Sequence, residues 1–289
     1  MAHDWLTIHE GAAPLVIGLP HTGTDIPAAI EARMTSPWLA RKDADWWVDR
    51  LYDFAADMGA TLVRTAISRS VIDVNRDPSG ASLYPGMTTT GLCPTETFDG
   101  EPLYLPGQTP DEAEIAERRA TWFDPYHAAL QTQIDRLRAT GPVVLYDAHS
   151  IRSIVPRLFA GELPQFNIGD NGGTTCSPDL SRAVEAACAV SGQTLVLNGR
   201  FKGGWTTRHY GQPHPPQAAD RRAGGDRQTK HAVHAIQMEL ADRGYMLDPA
   251  GPVSEANWPS PYDPERAEPM RGHLRRVLGA CIAFAESQR

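Results

Sequence analysis

Pro142-Val143-Val144-Leu145-Tyr146-Asp147-Ala148-His149-Ser150 is an apolar run that ends abruptly in a carboxylate and an imidazole. Five residues without polar alternation, Pro142–Tyr146, fit a strand buried on both faces, and such strands belong to parallel sheets covered by helices. The polar residues after it then fall at the carboxyl end of the strand, where open α/β sheets bind their ligands. Pro14–Leu19 repeats the pattern and runs into Pro20-His21. Thr61–Ile67, Val71–Val74 and Thr194–Leu197 are β-branched stretches that predict further strands. Between them lie helical patterns. Asp43–Met58 carries Trp47, Leu51, Phe54, Ala55 and Met58 on one face and closes at Gly59. Thr109-Pro110-Asp111-Glu112 opens a helix running towards Ala139, and Ser177-Pro178 opens another. Leu274, Leu278, Cys281, Ile282 and Ala285 mark a last amphipathic helix, while Val233–Leu240 fits strand or helix by pattern alone. The alternation predicts one α/β domain over residues 1–289, with a mostly parallel, mixed central sheet flanked by helices.

Composition narrows the partners. The chain has 289 residues and a formal net charge of −8, which argues against nucleic acid or an anionic membrane as its main partner. Its longest apolar runs are too short to span a bilayer. The start, Met1-Ala2-His3-Asp4-Trp5, lacks the basic and apolar regions of a secretory signal. Four scattered cysteines show neither CxxC spacing nor disulfide density. A cytoplasmic protein is expected. Between Arg200 and Lys230, however, seven basic residues face only two acidic ones, so a small anionic substrate remains compatible with the overall charge.

Several polar clusters follow predicted strands. Pro20-His21-Thr22-Gly23-Thr24-Asp25 sets an imidazole and a carboxylate four residues apart, ligand types that a catalytic Zn²⁺ prefers. A loop histidine beside a helix-capping Asp25 is the plainer alternative. His149 supplies a second strand-end imidazole, and Asp147 is either an acceptor for a ligating ring or a structural carboxylate. Ser150 beside His149 is a poor nucleophile–base pair, because adjacent side chains on a strand point to opposite faces. Arg69, Asn75 and Arg76 surround another strand end. Guanidinium groups there bind carboxylates or an oxyanion, or else pair with Asp73 and Asp77. Gly199–Gly211 gathers Arg200, Lys202 and Arg208 among glycines without the order of a P-loop. If Val233–Leu240 is a strand, Gln237 and Glu239 share one face. Burial would then raise Glu239 towards the range of a general base.

These blocks together resemble the N-formylglutamate amidohydrolase family: PHTGTDIP at Pro20–Pro27, SRSVIDVNRDPSG at Ser68–Gly80, YDAHSI at Tyr146–Ile151, GRFKGGWTTRHYG at Gly199–Gly211 and HAIQMEL at His234–Leu240. The family is distantly similar to zinc carboxypeptidases and aspartoacylase. The resemblance implies their α/β fold, one zinc ion, and hydrolysis of N-formyl-L-glutamate to formate and L-glutamate in histidine degradation. It also implies that His21, Asp25 and His149 hold the metal, that Glu239 is the general base, and that Arg69 polarises the scissile carbonyl. Asn75 and Arg76 are expected to grip a substrate carboxylate, with Arg200, Lys202 and Arg208 as further anchors. Gln212–His231 is longer than the family's link and reads as an inserted surface loop, bordering the site and able to act as a lid. Two other activities stay open: hydrolysis of another N-acyl acidic amino acid, and non-catalytic binding of an acidic ligand.

Overall fold

The strand that decides the fold runs further than its apolar stretch predicts. It spans Val143–Ile151, so Asp147 and His149 stand on the strand itself rather than in a loop after it. The computed structural model describes residues 4–82, 86, 89–214, 231–249 and 251–289. In chain order the strands are β1 (Leu6–His9), β2 (Leu15–Leu19), β3 (Thr61–Thr65), β4 (Val143–Ile151), β5 (Phe166–Gly169), β6 (Leu195–Leu197) and β7 (Val233–Ala241). They form one seven-stranded sheet in the order β1-β3-β2-β4-β7-β5-β6. β3, β2, β4 and β7 run parallel, β1 is antiparallel to β3, and β5 is antiparallel to β7. The sheet is therefore mixed, with a parallel centre. Val233–Leu240, ambiguous by pattern, is a strand because it pairs along its whole length with β4.

Helices cover both faces: α1 (Ala28–Glu31), α2 (Val48–Leu51), α3 (Glu112–Arg118), α4 (Asp124–Arg138), α5 (Pro178–Ala189), α6 (Trp205–Tyr210) and α7 (Pro264–Ser287). Ser177 caps α5 through its hydroxyl, followed by Pro178 at the first position. On α3 the cap is Asp111, which accepts from the Glu114 amide, rather than Thr109 two residues earlier. α3 and α4 join through a π turn over Arg119–Phe123. One core layer packs Leu15, Ile17, Val144, Tyr146, Ile236 and Met238 against α2, α5 and α7. The other packs Val16, Val143, Leu145, Val233 and Ala235 against α4 and the segment after β3.

Two predicted elements form differently. Asp43–Met58 is not one helix: only Val48–Leu51 is α-helical, followed by a 3₁₀ turn at Asp53–Ala55. Trp47 takes φ 63° ahead of it, a left-handed conformation that a continuing helix excludes. Val71–Val74 is not a strand, because the chain turns twice. The amide of Val71 donates to the carbonyl of Ser68, and that of Arg76 to the carbonyl of Asp73. Buried Arg118 clamps these turns by donating to the carbonyl of Val71 and the hydroxyl of Tyr104. The Gln212–His231 loop lies almost entirely outside the described residues, apart from Gln212–His214 and His231.

The turn carrying His21 lies flat on the end of β3. A Cβ at Gly23 would come within 2.4 Å of the carbonyl carbon of Ala66 and the oxygen of Ile67. Backbone cannot yield as a side chain can, so Gly23→Ala is expected to cost about 1–3 kcal/mol, read as a lowered melting temperature.

Candidate active site

Along one face of β4 and β7 the side chains change from apolar to polar. Val143 and Leu145 belong to the core, and Asp147 and His149 follow them on the same face. On β7, Val233 and Ala235 are followed by Gln237 and Glu239. The parallel register sets Asp147 beside Gln237 and His149 beside Glu239. A cleft opens there, with about 580 Å³ of space including its mouth. Its walls include His21, His149 and Glu239, three arginines (Arg69, Arg76 and Arg200), and the ring of Phe98.

Three buried donors meet at the floor. His149 Nδ1 lies 3.1 Å from His21 Nδ1 and 3.1 Å from Asp45 Oδ2, while His21 Nδ1 is 3.6 Å from the same carboxylate oxygen. Among the described residues this trio is the group of histidine and carboxylate side chains able to enclose a metal ion. Each ring is backed by a carboxylate at its far nitrogen. His21 Nε2 is 2.7 Å from Asp73 Oδ1, and His149 Nε2 is 3.0 Å from Asp147 Oδ2. Such carboxylate-backed imidazoles are the usual support of metal-ligating histidines. Asp45, Asp73, Asp147 and Glu239 are all buried here, and among the described residues Arg69 is the buried arginine that lines the cleft beside them. A divalent cation between the imidazoles fits both the donor set and this excess of negative charge. Burial opposes ionisation of Asp45, but His21 and His149 outweigh it and hold the carboxyl well below its usual range. Burial likewise opposes a charge on His149, yet Asp147 and Asp45 push its pKa well up.

Glu239 is 8% exposed, and burial pushes its pKa up to about 7, against the pull of His149 and Arg69. Gln237 orients it. The amide nitrogen of Gln237 donates to Glu239 at 3.2 Å, and its oxygen accepts from the Gly204 amide at 2.7 Å. Arg69 donates to Asp73 at 2.7 Å and lies 3.5 Å from Asp45. The Phe98 ring covers its guanidinium at 4.8 Å. That ring is fixed in turn by Asp43, which accepts from the Phe98 amide at 2.6 Å.

The predicted residues do not all arrive. His21, His149, Glu239, Arg69, Asn75, Arg76 and Arg200 line the cleft, whereas Lys202 and Arg208 do not. Asp25 is exposed, and its backbone is bridged to Ile67 at the end of β3. The carboxylate beside the histidines is Asp45, so the expectation that Asp25 completes the trio is corrected. Asn75 lines the cleft but spends its amide on the protein. Its nitrogen lies 2.9 Å from both Asp147 and His149, and its oxygen accepts from the Thr206 amide. Asp45 is hidden in the sequence because it lies inside an apparently continuous helical pattern. The one local signal is the pair Asp43 and Asp45 at the start of that pattern.

The segment bearing Asp45 is clasped to the C-terminal part of the chain. The indole nitrogen of Trp38 donates to the carbonyl of Trp258, that of Trp258 to the carbonyl of Lys42, and that of Trp47 to the carbonyl of Ser260. The Tyr245 hydroxyl adds a bond to the carbonyl of Trp46 at 2.7 Å. These bonds hold the backbone on both sides of Asp45, including the left-handed Trp47.

Residues 13–246 match the family model described as N-formylglutamate amidohydrolase. The chain is 40% identical over 285 residues to the N-formylglutamate deformylase of Pseudomonas aeruginosa, with 98% of each chain covered. It is also 40% identical over 281 residues to that of Pseudomonas putida, with 96% of each covered. The crystal structure of N-formylglutamate amidohydrolase from Ralstonia eutropha JMP134 superposes with a TM-score of 0.72, covering 99% of both chains at 24% identity. That likeness establishes the fold.

Two measurements test this geometry. Asp45→Ala is expected to lose most bound divalent metal in elemental analysis, whereas Asp25→Ala retains it. Glu239→Gln removes a carboxylate that resists ionisation in the fold. Because the folded pKa lies above the unfolded one, the wild-type carboxylate destabilises the metal-free fold increasingly as pH rises from about 4.5 towards 7. The metal-free variant should therefore melt a few degrees above wild type at pH 8, and the gap should close at pH 4.

Proposed function

Because the chain belongs to the N-formylglutamate amidohydrolase family, we propose that it hydrolyses N-formyl-L-glutamate to L-glutamate and formate. We propose Zn²⁺ as the ion, held by His21, Asp45 and His149, and a role in histidine degradation in the cytoplasm. The observation that carries the reading is that Glu239 stands beside His149 in register, in a cleft lined also by His21 and three arginines, with Asp45 completing the His21–Asp45–His149 trio.

When bound, such an ion supplies Lewis acidity to the reaction. The remaining roles fall to the chain. Glu239, raised towards neutral pH by burial, takes a proton from water as the water oxygen bonds to the formyl carbon. Arg69 donates to the oxyanion that develops on the formyl oxygen, and Asp73 and Phe98 hold its guanidinium in place. Glu239 then returns the proton to the glutamate nitrogen as the carbon–nitrogen bond breaks, releasing formate. Arg76 and Arg200 provide fixed positive charge for the two carboxylates of the substrate. Arg76 is itself braced, its Nε donating to the carbonyl of Thr90 at 3.0 Å and its Nη2 to the Thr90 hydroxyl at 2.9 Å. Asn75 orients His149 and Asp147 through its amide nitrogen.

The test is formate release from N-formyl-L-glutamate before chelation, after chelation and after adding Zn²⁺ back. N-acetyl-L-glutamate and N-formyl-L-aspartate serve as competitors. Release that is lost on chelation, restored by Zn²⁺ and fastest with N-formyl-L-glutamate is the expected result. A preference for another acyl group would replace the substrate, and full activity without metal would remove the ion. Glu239→Gln should keep its metal and lose about 10²–10⁴-fold in kcat.

A further inference from the structure

One position on the cleft-bearing face of β2 has no side chain. Gly18 is buried in a central strand and pairs in register with Asp147. Backbone geometry does not demand glycine there. Its φ is not positive, and an added Cβ would meet nothing closer than Asp147 Oδ1 and the Tyr126 hydroxyl, both at 3.4 Å. Glycine inside a strand is less favourable than alanine by about 0.5–1 kcal/mol, so packing alone favours a methyl group at this point.

The two atoms nearest that position are polar. Asp147 and Tyr126 are wholly buried, and neither Asp147 Oδ1 nor the Tyr126 hydroxyl has a protein partner. The other oxygen of Asp147 holds Asn75 at 2.9 Å and His149 at 3.0 Å. Leaving a buried polar atom unsatisfied costs about 1–3 kcal/mol, and a site with two or more polar partners suits a buried water. A methyl group at residue 18 would stand 3.4 Å from each of these oxygens and would crowd a water bonded to both.

We propose that one water is a fixed ligand beside Gly18, accepting from Tyr126 and donating to Asp147 Oδ1, and that Tyr126 thereby positions the carboxylate that orients His149. The positioning half rests on the metal-centre reading above. Tyr126, on α4, which packs against this same face of the sheet, thus acts on the centre through a water, a carboxylate and an imidazole without touching substrate.

The test reverses the sign that packing predicts. Gly18→Ala fills space and Tyr126→Phe deletes an unpaired hydroxyl, so a purely structural role leaves metal affinity unchanged and stability equal or higher. The expected result is a Zn²⁺ Kd about 10-fold weaker in both variants, measured by chelator competition. A shifted visible spectrum of the Co²⁺-loaded proteins should accompany it. Crystals of the metal-loaded wild type should show a water within hydrogen-bond distance of both oxygens, absent from Gly18→Ala. Tyr126→Phe carries the test if Gly18→Ala does not fold. No water between the two oxygens overturns the proposal, as do two variants that bind Zn²⁺ like wild type. A wild type that takes up no divalent ion overturns the metal centre and the positioning role with it, and is distinguished by its own metal content.

Discussion

The in-register pairing of β4 with β7 is the constraint on which the site depends. Once Leu145 is beside Ala235 in the core, the two-residue period of a strand leaves no freedom. Asp147 must meet Gln237, and His149 must meet Glu239. A slip of one residue would turn both pairs into the opposite core layer, among Tyr146, Ile236 and Met238. The apolar halves of the strands therefore set the distance between the two key side chains, and the helices that cover the sheet hold that register.

The cost of this arrangement shapes its surroundings. An unpaired charge taken out of water costs several kcal/mol, more than a surface ion pair returns. The buried carboxylates are accordingly matched one by one. Asp73 serves His21, Arg69 and the amide of Asn75; Asp45 serves His149 and the amide of Ser150. Burial, which raises a carboxyl, is overcome at Asp73 by Arg76, His21 and Arg69, and its pKa lies well below the usual range. Among the carboxylates that line the cleft or back its histidines, Glu239 is the one whose neighbours do not outweigh burial; Asp242, outside that group, is raised by burial as well. The same environment thus separates carboxylates that stay ionised from one poised to exchange a proton. A further network, Lys42 with Asp99 and Glu101 and Arg152 with Asp99, ties down the loop that carries Phe98 to its place over Arg69.

Legibility in the sequence followed the physics of each segment. The buried strands are legible, and so is the convergence of His21, His149, Glu239, Arg69, Arg76 and Arg200 on one cleft, because an apolar run that ends in a polar cluster has one natural geometry in an α/β sheet; Lys202 and Arg208 do not join them. Asp45 is not legible. Its neighbours Trp47, Leu51 and Phe54 have helical spacing, and nothing local announces that Trp47 adopts a left-handed backbone held by a carbonyl in the C-terminal segment. Val71–Val74 misled in the opposite way. Its β-branched residues are buried as a strand's would be, but the chain turns so that Asp73 reaches His21, and that partner is 52 residues away. The spacing of His21 and Asp25 suggested a chelate, whereas the short turn on β3 leaves Asp25 facing solvent. Local pattern predicted elements well and predicted poorly which carboxylate would travel to the centre.

The indole clasp around Asp45 also bears on how the protein is made. Its three bonds join residues 220, 216 and 213 positions apart. Contacts of such separation close late, after the entropy of a long loop has been overcome. A chain still emerging from the ribosome, with residues 258–260 not yet released, can pair β2 with β3 but cannot hold Asp45 between the two imidazoles. Competence of the centre thus waits on the release of residues 258–260, long after both imidazoles have been made.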